Sequence, residues 1–194
     1  MNHENRICNE HFFILTGGPG VGKTTVLDAL QHSGWTCIPE AARPIIQNQQ
    51  AQNGEALPWK NKEQYTNQML CKSVKDYKKA FRGKKEITFF DRGIPDTLAY
   101  ADLEDLTIPD DLRFYSQHYR YNTSVFLFPP WREVYRTDDQ RKQSFEEVIS
   151  THQIMVQTYR SCGYTPIVVP RTTVQERCNF ILDYITHLDI NYST

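Results

Sequence analysis

The sequence predicts an α/β domain in which a parallel sheet carries helices on both faces. Three observations predict it. Five short apolar runs recur along the 194 residues, and helical periodicity fills the stretches between them. A glycine-rich turn separates the first run from the first helix. Strands that alternate with helices need crossover connections, which make the strands parallel and bury the sheet between two helical layers. The whole chain, 1–194, reads as a single domain of this kind.

Phe12 to Thr16 is a continuous apolar run suited to a strand buried on both faces. After the glycines comes a helix with Val26, Leu27 and Leu30 on one side. Trp35 to Pro39 is a second, shorter strand. Arg43 to Gly83 is helical, broken near Asn53-Gly54 and Pro58, and Tyr65, Met69, Val74, Tyr77 and Phe81 give its later part an apolar face. Glu86 to Phe90 is a third strand, ending on Asp91. Helical stretches follow from about Pro95 and Pro109, both placed as first-turn prolines. Ser124 to Phe128 is a fourth strand, stopped by Pro129-Pro130. Ser144 with Glu147 three residues on opens the next helix, whose buried side takes Phe145, Val148, Ile149, Met155, Val156 and Tyr159, and Gly163 ends it. Thr165 to Val169 is the fifth strand, and Thr173 with Glu176 opens the last helix.

Twenty-two Lys and Arg against twenty-three Asp and Glu leave a formal charge of -1. That balance disfavours a protein built to bind nucleic acid or an anionic bilayer. No apolar run approaches a membrane span, and the polar start lacks the stretch of a signal peptide. Five scattered cysteines without a CxxC pair favour neither a disulfide framework nor a zinc site, so a cytoplasmic, reducing setting is the simplest. The oligomeric state stays open.

Gly17-Gly18-Pro19-Gly20-Val21-Gly22-Lys23-Thr24 satisfies G-x-x-x-x-G-K-[ST] in full, and Thr25 follows. Glycines let successive backbone N–H groups curl round phosphate oxygens, and the helix behind them presents its positive end. Lys23 reaches the β- and γ-phosphates, and the Thr24 hydroxyl is a magnesium ligand. Chance would give this pattern in on the order of one chain in a hundred of this length. A strand directly before it and a helix directly after lower that chance further.

Asp91 ends a strand, at the sheet edge where ligands bind in parallel α/β folds. It is a candidate magnesium ligand or acceptor base; the bland alternative is a helix N-cap. Arg92 either forks onto a phosphate or pairs with Asp96. Glu40 and Arg43, after the second strand, are candidates to grip an acceptor, and Glu40 competes with Asp91 as the base. Arg132, Arg136 and Arg141 fall in the charged segment 131–143, which reads as a lid whose guanidiniums match the charge of a transferring phosphoryl group. The basic run Lys78 to Lys85 sits at a helix C-terminus and complements its dipole. The six histidines show no metal-ligand spacing. Residues 44–80 and 95–122 are expected to wall an acceptor pocket, with most of their aromatics, Trp59, Tyr65, Tyr100, Phe114, Tyr115 and Tyr119, packing rather than stacking on a base.

These strings in order, GGPGVGKTT (17–25), PEAAR (39–43), FFDRG (89–93), PPWREVYRTDDQR (129–141), QSFEE (143–147) and GYTPIVVP (163–170), resemble a bacterial AAA-type predicted-ATPase family. That family is grouped with the phosphate-loop kinase-like domain of the bacterial NAD-biosynthesis regulator, a ribosylnicotinamide kinase. The resemblance runs from about Phe12 to the final helix. It implies a phosphate-loop nucleoside/nucleotide-kinase-like fold with strand order 2-3-1-4-5, ATP with magnesium, and an arginine lid. Carried over by position, it implies Gly17 to Thr25 for phosphate and metal, Asp91 and Arg92 at the catalytic edge, and Arg132, Arg136 and Arg141 in the lid. Asp139 stands where the ribosylnicotinamide kinases carry a glycine, which leaves the substrate open. The expectation is transfer of the ATP γ-phosphoryl group to a nucleoside-like hydroxyl. The rival is an ATPase or nucleotide-dependent switch without an acceptor. For GTP, an N/T-K-x-D string would be needed, and Asn61-Lys62-Glu63-Gln64 lacks the aspartate.

Overall fold

The computed structural model describes residues 6–82, 86–134 and 144–188. In chain order its elements are β1 (Ile7–Cys8), β2 (Phe12–Gly17), α1 (Lys23–His32), β3 (Thr36–Ile38), α2 (Ala42–Ala51), α3 (Lys62–Phe81), β4 (Thr88–Asp91), α4 (Ile94–Leu103), α5 (Asp110–His118), β5 (Tyr119–Arg120), β6 (Ser124–Phe128), α6 (Phe145–Ser161), β7 (Thr165–Val168) and α7 (Val174–Thr186). The main sheet has the order β3-β4-β2-β6-β7, and each neighbouring pair is parallel. Counting these five strands along the chain, the order is 2-3-1-4-5.

β2 occupies the centre of the sheet, and every one of its residues is buried. Successive side chains leave a strand on opposite faces. Phe12 and Ile14 join Tyr77, Phe90 and Ile94 in one core, while Phe13 and Leu15 join Val26, Leu30 and Ile181 in the other. Helices α1 and α7 cover the second face; α3, α4, α5 and the later part of α6 supply the first. Emptying one of these positions, as in Phe13→Ala, costs about 3–5 kcal/mol. The register sets Leu15 beside Asp91 and Gly17 beside Phe128. The C-terminal ends of β2, β4 and β6 therefore finish side by side.

The caps follow the spacing read from the sequence. Ser144 Oγ accepts from Glu147 N at 3.2 Å, and Thr173 Oγ1 accepts from Glu176 N at 3.3 Å. Asn61 caps α3, accepting from Gln64 N at 2.9 Å, so that asparagine has a helix-starting role. The break within 43–83 is wider than two turn signals suggest, because the side chain of buried Gln49 fixes the connection, its Oε1 accepting from Ala56 N at 3.1 Å. Pro95 does fall in the first turn of α4, but Pro109 is the N-cap of α5 and not a helical residue. Two assigned core positions are corrected: Phe81 is 47% and Ile149 40% exposed. In α6 the buried stripe runs through Val148, Thr151, Met155, Thr158 and Tyr159, so threonines fill places given to larger apolar residues. The two-residue β1–β5 pairing carries no signal in the sequence. Among the described residues, no helix is long and apolar enough to cross a membrane.

Candidate active site

The turn between β2 and α1 lies at the C-terminal edge of the sheet. Its glycines are set by geometry. Gly17 has φ 142°, and a Cβ there would stand 2.5 Å from the Phe128 carbonyl oxygen of the neighbouring strand. Gly22 has φ 86°, and its Cβ would meet Arg177 Nη1 at 2.8 Å. Both conformations suit glycine and strain other residues. Lys23 opens α1 and is buried, donating to the Gly17 and Gly18 carbonyl oxygens, each at 3.1 Å. Burial, reinforced by the Arg92 guanidinium, lowers its pKa to about 8. Thr24 and Thr25 are exposed at the start of the helix.

Facing the loop, the Thr24 hydroxyl donates to Asp91 Oδ2 at 3.3 Å. Asp91 is 4% exposed, and its Oδ1 is buried without a hydrogen-bond partner. Burial raises its pKa against the opposing pull of Lys23, and Glu40 adds to the rise. Gly93, not Asp91, is the N-cap of α4, so capping does not explain the aspartate. A buried carboxylate with an orphaned oxygen beside a threonine hydroxyl suits a hard cation. Magnesium commonly takes few protein oxygens and fills its remaining positions with phosphate and water.

Arg92 sits in the left-handed region at φ 73°, held by its N–H on the Leu15 carbonyl at 3.0 Å. Its Nε donates to Glu40 Oε1 at 2.8 Å and its Nη1 to Asp96 Oδ1 at 3.1 Å. The guanidinium thus pairs with Asp96, as one sequence reading had it, and with Glu40 as well. Burial works against its charge, but Glu40, Asp96 and Asp91 hold its pKa well above the ordinary value. Burial likewise pushes Glu40 up, and Arg92 with Lys23 more than reverses this, leaving the carboxyl below its usual range.

A cavity of about 200 Å³ opens beside these groups, with Pro19 of the loop in its wall. Glu40, Asp91, Arg92 and Asp96 line its polar part; Tyr65, Met69, Tyr100 and Met155 supply apolar wall. Of the aromatics expected to be packing, Tyr65 and Tyr100 meet edge to face at 5.5 Å and line this cavity, whereas Trp59 and Phe114 are at least half exposed. Arg43 is exposed on α2 and is not among the lining residues. Arg132 stays at the surface, 3.5 Å from Glu146 Oε1 with its guanidinium 4.5 Å from the Phe145 ring centre. Arg136 and Arg141 lie outside the described residues.

Sequence reasoning missed two contributors. Arg177, in the first turn of α7, is 5% exposed and donates through Nη1 to the Val21 carbonyl at 3.4 Å, bracing the loop from below. Nothing local marks it, because it approaches across 156 residues of chain. The second is the set of groups round Asp96. Thr16 and Tyr159 both donate to its carboxylate. Tyr159 had been placed only as core.

A parallel sheet of this order, with a glycine loop and its lysine at the central strand's end, defines the fold of the phosphate-loop kinases. The chain belongs to an AAA domain family, whose model matches residues 12–177. No curated protein matches the chain by sequence. Among solved structures, it is similar to the NadR protein in complex with NR, with 18% identity and a TM-score of 0.69 over 92% of this chain. The match takes in 51% of that chain, so this protein spans about half of NadR. Deoxyadenosine kinase from M. mycoides with bound dATP matches at 15% identity and TM-score 0.62, covering 90% of this chain and 99% of the other. Shikimate kinase from Acinetobacter baumannii in complex with shikimate matches at 15% and 0.54, covering 92% and 94%. At these identities the likeness establishes the kinase-like fold.

Proposed function

We propose that this protein is an ATP-dependent small-molecule kinase. The observation that carries the reading is the cavity that shares one sheet edge with the phosphate loop. A nucleotide switch needs the loop but no second enclosed compartment; a kinase needs both, opening on the same point in space. The solved neighbours with this fold, whose names make them kinases of a deoxynucleoside and of shikimate, support the class of reaction.

The loop amides of residues 17–25 and the N-terminus of α1 hold the phosphate tail of ATP, and Lys23 turns from the Gly17 and Gly18 carbonyls to the β- and γ-oxygens. Thr24 and Asp91 would hold magnesium, which would supply positive charge to offset that of the phosphates. Relief of the buried, orphaned Asp91 oxygen favours that arrangement. With Asp91 directed to the metal side by Thr24, Glu40 takes the acceptor side. It is ionised, steadied by Arg92, and lines the cavity, so it orients the acceptor hydroxyl and receives its proton. Arg92 offers its guanidinium to the transferring phosphoryl group. Arg132, Arg136 and Arg141 act from the 131–143 segment, excluding water as a lid. Arg43 sits outside the cavity, so its part is limited to supporting the charge of Glu40.

The acceptor's charge follows from the lining. Four carboxylates, Glu40, Asp76, Asp91 and Asp96, line the cavity with one guanidinium, Arg92. Arg92 pairs with Glu40 and Asp96, and Lys72 pairs with Asp76, so among the described residues Asp91 is the carboxylate left without an ion-pair partner. An anionic acceptor would meet like charge in a desolvated space, so an uncharged or cationic hydroxyl compound, such as a nucleoside or ribosylnicotinamide, fits better. At about 200 Å³ the cavity lies below the roughly 300–1,000 Å³ typical of drug-sized sites and suits one small molecule. The test is a product screen with ATP and magnesium against nucleosides, ribosylnicotinamide, sugar alcohols and nucleoside monophosphates. A phosphorylated uncharged or cationic product supports the reading. Free phosphate with no acceptor product from the whole panel would replace it with an ATPase.

A further inference from the structure

We infer that Asp96 is a positioning residue for phosphoryl transfer, clamping the Arg92 guanidinium in a fixed place relative to the phosphate loop; this rests on the kinase reading above. Its carboxylate is 6% exposed and receives four donors. Oδ1 accepts from Thr16 Oγ1 at 2.5 Å and from Arg92 Nη1 at 3.1 Å. Oδ2 accepts from the Gly93 N–H at 2.8 Å and from the Tyr159 hydroxyl. A carboxylate has about four lone-pair positions, so this one is saturated and has no freedom to swing.

The donors come from separate elements. Thr16 is the penultimate residue of β2, directly before Gly17 and the loop. Gly93 is the N-cap of α4 and follows the left-handed Arg92. Tyr159 reaches in from α6, with no solvent exposure. Arg92 is therefore tied through one carboxylate to the strand that carries Lys23's loop, and its remaining bonded nitrogen is held by Glu40. The clamp uses Nε and Nη1, and Arg92 lines the cavity, so Nη2 is the guanidinium nitrogen that would meet a substrate oxygen. A displacement of about 1 Å at a group that stabilises a transition state can cost roughly a hundredfold in rate. A clamp of this kind acts on turnover rather than on nucleotide affinity.

A buried polar network could also serve stability without touching the reaction. A double-mutant cycle between Asp96→Asn and Arg92→Ala separates the two roles. If Asp96 works through Arg92, Asp96→Asn lowers kcat about 10- to 100-fold per folded molecule with KM for ATP changed less than about twofold. In the Arg92→Ala background the same substitution then has little further effect on kcat. The milder Thr16→Val and Tyr159→Phe, which keep the carboxylate, run in the same cycle should Asp96→Asn fail to fold. They are expected to lower kcat in the same non-additive way. Equal losses with and without Arg92, or unchanged kcat per folded molecule, would overturn the inference while leaving the kinase intact. Absence of any phosphotransferase activity in the wild type would instead remove the kinase reading, and this inference with it.

Discussion

Replacing Lys23 by methionine should change the pH dependence of stability in a calculable direction. The lysine sits 7% exposed with its pKa lowered from 10.5 to about 8. One pKa unit corresponds to about 1.4 kcal/mol, so the charged lysine weakens the fold by about 3 kcal/mol near neutral pH. The sign follows from proton counts. Between the folded and unfolded pKa values the unfolded chain binds more protons, so stability rises with pH, and the penalty is fully present below about pH 8. From about pH 7 to about pH 9.5 the wild type should gain about 2 kcal/mol relative to Lys23→Met. For a chain of this size that corresponds to roughly 4–8 °C in Tm. Thermal unfolding of both proteins at both pH values, without added nucleotide, reads it directly. Loss of the two carbonyl hydrogen bonds in the variant shifts its absolute stability but cancels from the pH difference. Parallel pH curves for the two proteins would refute a buried, desolvated Lys23.

The other outcomes concern the groups round that lysine. Gly17→Ala, whose Cβ would stand 2.5 Å from a backbone oxygen, should lower stability by about 2 kcal/mol or more in chemical denaturation. Asp91→Asn should abolish the magnesium dependence of nucleotide binding. Because burial raises the Asp91 pKa above the ordinary carboxylate value, wild-type magnesium-dependent binding should weaken as pH falls, starting at a higher pH than for a free carboxylate, and the asparagine variant should lack that limb in a calorimetric pH series. Ala42→Leu, at a half-buried position in the cavity wall, should raise KM for the acceptor about tenfold while KM for ATP holds. Glu40→Gln should lower kcat about 10²- to 10⁴-fold if the carboxylate takes the acceptor's proton, measured at saturating acceptor.

The parallel sheet was legible because β2 carries its apolar residues without interruption and the loop behind it has a spacing with few structural alternatives, whereas the strand order came from the family resemblance. The caps at Ser144 and Thr173 were equally plain, since a capping box is local in sequence. Long-range polar chemistry was not. Thr16, Asp96 and Tyr159 meet across 80 and 63 residues, and no spacing rule connects a strand end to the middle of a distant helix. Arg177 reads as an ordinary helix surface cation until its approach to Val21 is seen. Ile149 was misplaced because two threonines of α6 bury their methyl groups while hydrogen-bonding within the structure, which hydrophobic periodicity does not register. For the acceptor side, Glu40 was visible at a strand end, whereas Arg43, three residues on, is exposed on α2 and stays out of the cavity that Ala41 and Ala42 line.

Calorimetric titration of magnesium with a non-hydrolysable ATP analogue, into the wild type and into Lys23→Ala, tests most directly whether residues 17–25 cradle a nucleotide's phosphates. The account predicts saturable one-to-one binding that the substitution weakens about 10- to 100-fold, the worth of a lost charged hydrogen bond. Equal affinity in both proteins, or no binding to the wild type, would contradict it.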